Sequence, residues 1–159
     1  GMLNTSNDLH TLFTSESGYG FLCKNKELLS SNRNGKSIVK NKQSNIIKPL
    51  EVDAKNFDYY LLVTNKQYLI LSKLDDIPIL TKGKGVKLIN IPKSEDSEKV
   101  IFSGVIRAGQ RLEISAENKR SKYIEFKELQ PYIMTRTRRG KKIEQKFIHK
   151  NMNLNYNIG

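Results

Sequence analysis

An internal repeat of about 50 residues constrains the fold of this chain more than any other feature. Segments 12–39, 62–89 and 113–143 share one order: a strand-like run, a polar turn, a second run centred on tyrosine, and basic residues around a glycine that leads into another run. Gly35, Gly85 and Gly140 mark the register and lie 50 and 55 residues apart. A period of this length with about four strands per unit is typical of propeller-like blades. Three such units fill most of the 159 residues.

The runs inside each unit are strand-like. "YYLLVT" at 59–64, "YLILSK" at 68–73 and "RLEISA" at 111–116 are short, rich in aliphatic and aromatic residues, and bounded by polar turns. No stretch shows a sustained helical period of 3.6 residues. We therefore predict an all-β, propeller-like repeat with units at about 9–57, 58–107 and 108–148.

The two ends of the chain lie outside these units. Gly1 before Met2 resembles the residue left by a removed tag, so we interpret residues 1–8 as a tag scar and lead-in. Residues 149–159 are rich in asparagine and weakly patterned. We predict that this tail is disordered.

The charge points to a class of partner. A formal net charge of +12, from 28 Lys plus Arg against 16 Asp plus Glu, favours a polyanion, with nucleic acid ahead of an anionic membrane. No window approaches the roughly 20 apolar residues that span a bilayer, and the start lacks a secretory signal, so we expect a cytoplasmic chain without a membrane partner. Cys23 is the one cysteine, and His10 and His149 stand at opposite ends, so we expect no disulfide, metal or cofactor.

The basic segments around the repeated glycines are the candidate binding loops. Glycine lets the backbone adopt positive φ and approach phosphate closely, while Lys and Arg neutralise phosphate without reading bases. A solvated turn would explain one such loop, but recurrence at one register favours a shared binding edge. The hairpin "NKRSKY" at 118–123 adds two candidates. The predicted binding residues are Arg33, Lys36, Lys82, Lys84, Lys87, Arg120, Lys122, Arg136, Arg138, Arg139, Lys141 and Lys142.

Three stretches resemble a known family. They are "GYGF" at 18–21 with the "GK" that follows it, "LTKGKGVKLINIP" at 80–92 and "EFKELQPYIMTRTRRGKK" at 125–142. They resemble the C-terminal domain of the A subunit of bacterial topoisomerase IV, which is similar to that of gyrase A, over about residues 9–143. The resemblance implies a β-pinwheel of four-stranded blades that exchange a strand with their neighbours and bind and bend duplex DNA on the outer edge. That domain usually has five or six blades, so about three blades would form an open arc. The glutamine-arginine-glycine-rich box with which gyrase wraps DNA is missing, which favours bending over wrapping.

The resemblance also implies a function. It predicts a non-catalytic, sequence-nonspecific duplex-DNA-binding and bending domain that positions DNA segments for strand passage and decatenation at the nucleoid. The implied partners are duplex DNA, the N-terminal catalytic region of the same polypeptide and the B subunit of topoisomerase IV. The alternative is a propeller-like protein-interaction module that binds an acidic partner.

We find no catalytic group of residues in the sequence. Topoisomerases of this class cleave DNA with a tyrosine next to an arginine, and none of the seven tyrosines directly follows an arginine. We interpret the acids of the polar loops, Glu98 among them, as solvated side chains. The resemblance implies an ATP-dependent enzyme whose cleavage tyrosine lies outside this chain.

Overall fold

The computed structural model describes residues 9–24, 47, 49–53, 55–80, 85–92, 97–150 and 152–159. Over these ranges the chain forms strands and short 3-10 helices, which confirms the all-β prediction. The strands are β1 (Leu9–Thr14), β2 (Tyr19–Lys24), β3 (Leu50–Asp53), β4 (Tyr59–Thr64), β5 (Tyr68–Lys73), β6 (Val86–Lys87), β7 (Val100–Ile106), β8 (Leu112–Ser115), β9 (Lys122–Ile124), β10 (Lys141–Lys142) and β11 (Asn155–Ile158). The 3-10 helices are Leu74–Asp76, Phe126–Tyr132 and Gln145–Phe147.

The strands form three antiparallel sheets, each built on a hairpin from one unit. Their strand orders are β3-β1-β2-β6, β10-β5-β4-β7 and β11-β8-β9. The strand beside β2 comes from the second unit, and the strand beside β5 comes from the third. The pinwheel with strand exchange between neighbouring blades is therefore confirmed. The third sheet differs from the predicted four strands because, within the described residues, no exchanged strand lies beside β9.

The C-terminal tail contains the last strand of the third sheet. β11 pairs with β8 in the register Ile158 with Leu112, and Gly159 exchanges backbone hydrogen bonds with Arg111. Tyr156 and Ile158 are partly buried and alternate with exposed asparagines. The prediction of disorder was therefore wrong for residues 155–158, because Tyr156 and Ile158 pack against a core cluster and the backbone pairs with β8. The predicted lead-in at 1–8 lies outside the described residues.

The central sheet is buried on both faces. Leu61 and Val63 of β4 belong to the core cluster shared with the third sheet, whereas Tyr60 and Leu62 belong to the cluster shared with the first. Successive side chains of a strand point to opposite faces, so a strand between two blades has to be apolar at every position. This explains why "YYLLV" is a continuous apolar run in the sequence.

Tyrosines at buried and partly buried positions make the stability of this fold sensitive to high pH. Burial raises the pKa of Tyr156 to about 12 and raises the pKa of Tyr60 well above its ordinary value. Below about pH 10 these hydroxyls are protonated in both the folded and the unfolded chain; above it the unfolded chain loses the protons first, so stability falls as pH rises. We expect the free energy of unfolding, measured by urea titration between pH 8 and about 12, to fall less steeply in Tyr156→Phe. Equal slopes for the variant and the parent protein would contradict this expectation.

Candidate nucleic-acid interface

The exchanged strands β6 and β10 lie on the outer edges of neighbouring blades. β3 and β7 form the opposite edges of those two sheets, and together with β11 they line one shared depression of about 210 Å³. Since β3, β7 and β11 meet at this depression, β6 and β10 lie on the sheet edges that face away from it. We call this outer edge the rim. The described parts of the second and third basic segments therefore enter the blades at the rim.

The second and third units hold their basic segments in equivalent positions. Lys87 pairs with Tyr19 across β6 and β2, and Lys142 pairs with Tyr68 across β10 and β5. Shortly before these pairs, Gly85 has φ +84 and Gly140 has φ +91, the left-handed conformation that glycine tolerates without a steric penalty. Gly35 of the first unit lies outside the described residues, as do the predicted binding residues Arg33, Lys36, Lys82 and Lys84.

The two described basic segments contact each other. A guanidinium nitrogen of Arg136 donates to the carbonyl oxygen of Lys87 at 3.0 Å. The backbone N–H of Asn90 donates to the carbonyl oxygen of Arg138 at 2.9 Å. The ammonium group of Lys87 donates to the side-chain oxygen of Asn90 at 3.1 Å. The structure thus brings Lys87 together with Arg136 and Arg138, which lie about 50 residues later in the sequence.

Two of the cations among the described rim residues have side chains that are available to a ligand. Arg138 and Lys142 are exposed, and neither side chain has an ion pair or hydrogen bond to another described residue. Lys141 is also exposed, but its ammonium group lies 4.0 Å from Glu144 and over the ring of Tyr132. An exposed ion pair of this length contributes little and is screened by salt, so Lys141 can exchange Glu144 for another anion.

Arg139 is held by neighbours of its own. Its guanidinium donates to the carboxylate of Glu98 at 2.9 Å and lies over the ring of Tyr68, 3.9 Å from the centroid. The side chain of Glu98 is 0% exposed, and it also accepts a hydrogen bond from the hydroxyl of Thr64 at 2.8 Å. Glu98 is therefore not the solvated loop acid that the sequence suggested. Its pairing with Arg139 fastens the third unit to the second, and the local charge of Arg139 is compensated.

The hairpin of the third unit carries the two remaining candidates. Arg120 is exposed in the turn between β8 and β9, where its carbonyl oxygen lies 2.9 Å from a ring nitrogen of His149. Lys122 is partly buried, and its ammonium group donates to the carbonyl oxygen of Ile148 at 3.2 Å. In the second unit, the turn between β4 and β5 lies next to the Tyr68–Lys142 pair. Arg120 is in the corresponding turn of the third unit, so it lies at the equivalent end of its own blade. Lys122 helps to hold the chain before β11 in place, a role that its spacing in the sequence did not indicate.

Two classes of feature receive no support within the described ranges. No helix there has the length and the apolar character that crossing a membrane requires. No group of three or more His, Cys, Asp or Glu side chains is arranged there to hold a metal ion.

The fold and the rim together define a class: a strand-exchanging, propeller-like repeat with a cationic outer edge. A family model described as "DNA gyrase C-terminal domain, beta-propeller" matches residues 10–44 and 58–105, just over half of the chain. The chain belongs to this family, and the resemblance found in the sequence is confirmed.

Named relatives agree with this assignment. The A subunit of DNA topoisomerase 4 from Pseudomonas aeruginosa is 32% identical over 150 residues, which cover 92% of this chain and 20% of that protein. Its counterpart from Escherichia coli K12 is 36% identical over 94 residues, 59% of this chain and 12% of that protein. The chain thus spans a fifth or less of the length of these two relatives.

Solved structures show the same architecture. The E. coli ParC C-terminal domain matches with a TM-score of 0.79 and 27% identity, over 96% of this chain and 61% of that one. A DNA gyrase A C-terminal domain matches with a TM-score of 0.67 over 89% of this chain and 46% of that one. At 16% identity, this second match supports the fold alone.

Proposed function

We propose that this chain binds duplex DNA without sequence specificity along the rim and bends it across neighbouring blades. The observation that carries the proposal is the contact between the two basic segments on the outer edges of adjacent blades, at equivalent registers. A duplex that follows the rim would meet cations from one blade and then from the next. Membership in a family of gyrase C-terminal domains supports the same ligand.

The chemistry of the rim supports phosphate contacts. Arg138, Lys141 and Lys142 are exposed cations, the kind of side chain that contacts phosphate without reading the base sequence. Phosphate contacts fix the position of a duplex and release its counterions, whatever the base sequence. Bending costs elastic energy, which added phosphate contacts around an arc would offset.

We extend this proposal to the longer protein that the relatives represent. There the domain would position DNA segments for strand passage and decatenation by an ATP-dependent type II topoisomerase at the nucleoid in the cytoplasm. Its partners would be the N-terminal catalytic region of the same polypeptide and the B subunit of topoisomerase IV. The cleavage tyrosine would lie in that catalytic region, so the isolated chain is expected to bind DNA without cleaving it.

The salt dependence of duplex binding tests the proposal. If about five phosphates are neutralised, the logarithm of the affinity should fall against the logarithm of the salt concentration with a slope of about −4.5. The double variant Arg138→Ala, Lys142→Ala removes two exposed rim cations, so its slope should be about −2.7. Fluorescence anisotropy with a labelled duplex at several salt concentrations measures both values.

The matched control removes two exposed cations that lie outside the two basic segments. Lys73 is exposed at the end of β5 opposite to Tyr68, and Lys127 is exposed in the 3-10 helix Phe126–Tyr132. The variant Lys73→Ala, Lys127→Ala has the same net charge as the rim variant and should keep the slope of the parent protein. Equal losses in both double variants would disprove a localised interface. Negligible duplex affinity at low salt would favour the protein-interaction module instead.

A further inference from the structure

All three units meet at one short segment of the second unit. We call residues 86–90 the junction segment. Toward the first unit, the amide of Leu88 donates to the carbonyl oxygen of Gly18 at 2.7 Å. Toward the body of its own unit, the carbonyl oxygen of Leu88 accepts a hydrogen bond from the buried hydroxyl of Tyr60. Leu88 is itself fully buried, so this part of the segment is fixed from two sides.

The third unit holds the same segment through its basic loop. The backbone contact runs from the amide of Asn90 to the carbonyl oxygen of Arg138, and the side-chain contact runs from Arg136 to the carbonyl oxygen of Lys87. The Arg136 contact is charge-assisted, which makes it stronger than a hydrogen bond between neutral groups. The Arg136 contact also joins the two basic segments directly, because Lys87 lies on β6 at the rim.

Arg136 and Arg138 differ although they share one loop. Arg136 is partly buried and uses a guanidinium nitrogen to hold the neighbouring unit. Arg138 is exposed, and its side chain makes no hydrogen bond or ion pair with a described residue. Both carry one positive charge, but only the Arg136 side chain connects the two rim segments.

We propose that Arg136 is a positioning residue: its bond to the carbonyl oxygen of Lys87 fixes the angle between neighbouring rim segments and thereby sets the DNA bend. The inference rests on the proposed DNA-binding function and deepens it. A bent duplex pushes back elastically on the protein that bends it, so the bend depends on how firmly adjacent blades are held against each other. Without the Arg136 bond, the two basic segments should shift under the elastic force of the duplex, and the bound duplex should be less bent.

The test compares bend and affinity in matched variants. A duplex of about 30 base pairs labelled at both ends reports the bend by energy transfer at saturating protein, and anisotropy reports affinity. Arg136→Ala and Arg138→Ala each remove one positive charge, so both should weaken binding, and loss of the exposed Arg138 should also flatten the salt slope by about 0.9. Only Arg136→Ala should also lose most of the bend. Arg136→Lys, which keeps a donor and the charge, should recover much of it.

The outcomes separate this inference from the proposed function. A bend in Arg136→Ala equal to that in Arg138→Ala would overturn the positioning role, while the salt-dependent affinity would still support DNA binding. Bound DNA that stays straight with the parent protein would overturn the inference and the bending part of the function together. Absence of salt-dependent duplex binding by the parent protein would overturn both the function and the inference. Thermal unfolding of each variant shows that the comparison is made between folded proteins.

Discussion

Replacement of Arg139 by alanine is expected to destabilise the fold by about 3 kcal/mol, because it leaves the buried carboxylate of Glu98 without its cation. The side chain of Glu98 is 0% exposed, and Thr64 would be its one remaining side-chain partner among those described. The value is at the low end of the range for broken buried pairs, since the Arg139 side chain is 31% exposed and water can enter its place. Urea unfolding at neutral pH measures the change.

Two further variants identify the cause of that loss. Arg138→Ala removes the same charge from the adjacent residue and should change stability by less than about 0.5 kcal/mol. Adding Glu98→Gln to Arg139→Ala should recover part of the loss, because a neutral amide is less costly to bury than an unpaired carboxylate. If Arg139→Ala were as stable as Arg138→Ala, the pair would contribute nothing to the fold. Arg139 would then be a candidate for phosphate contact after all.

The units and the rim could be predicted because both depend on local rules that repeat along the chain. Gly85 and Gly140 need positive φ, and a glycine that recurs before a strand marks the same turn in the second and third units. The continuous apolar run in β4 likewise follows from burial on both faces. Local rules of this kind act within a few residues, so one sequence is enough to detect them.

The partners of individual charges could not be predicted in this way. Arg139 and Glu98 are 41 residues apart and belong to different units, and only the exchange of β10 into the second sheet brings them together. In the sequence, Arg139 is one of five basic residues among positions 136–142 and has the same appearance as Arg138. Strand β11 was missed for a related reason, since its pairing edge on β8 lies about 40 residues earlier. Contacts between units depend on the topology, which the local pattern does not contain.

Replacement of Gly85 by alanine should lower the stability of the fold more than any other single methyl group added at the rim. A Cβ at this position would lie 2.1 Å from the carbonyl oxygen of Gly20, and the backbone has φ +84. The contact is with backbone, so relief requires β6 to move away from β2. We expect a loss of about 3–5 kcal/mol, which combines the strain of the left-handed conformation with overpacking. Thermal and urea unfolding measure the loss.

Gly109 provides the matched control for that variant. It also has positive φ, at +93, but nothing lies within 4 Å of a Cβ added there, so Gly109→Ala should cost only the conformational strain of about 1–2 kcal/mol. The difference between the two variants then measures how closely the exchanged strand packs on the first blade. Equal losses would mean that β6 is loosely held. In that case the basic segment of the second unit could not act as a fixed part of the rim, and the mechanism proposed for bending DNA would lose its structural basis.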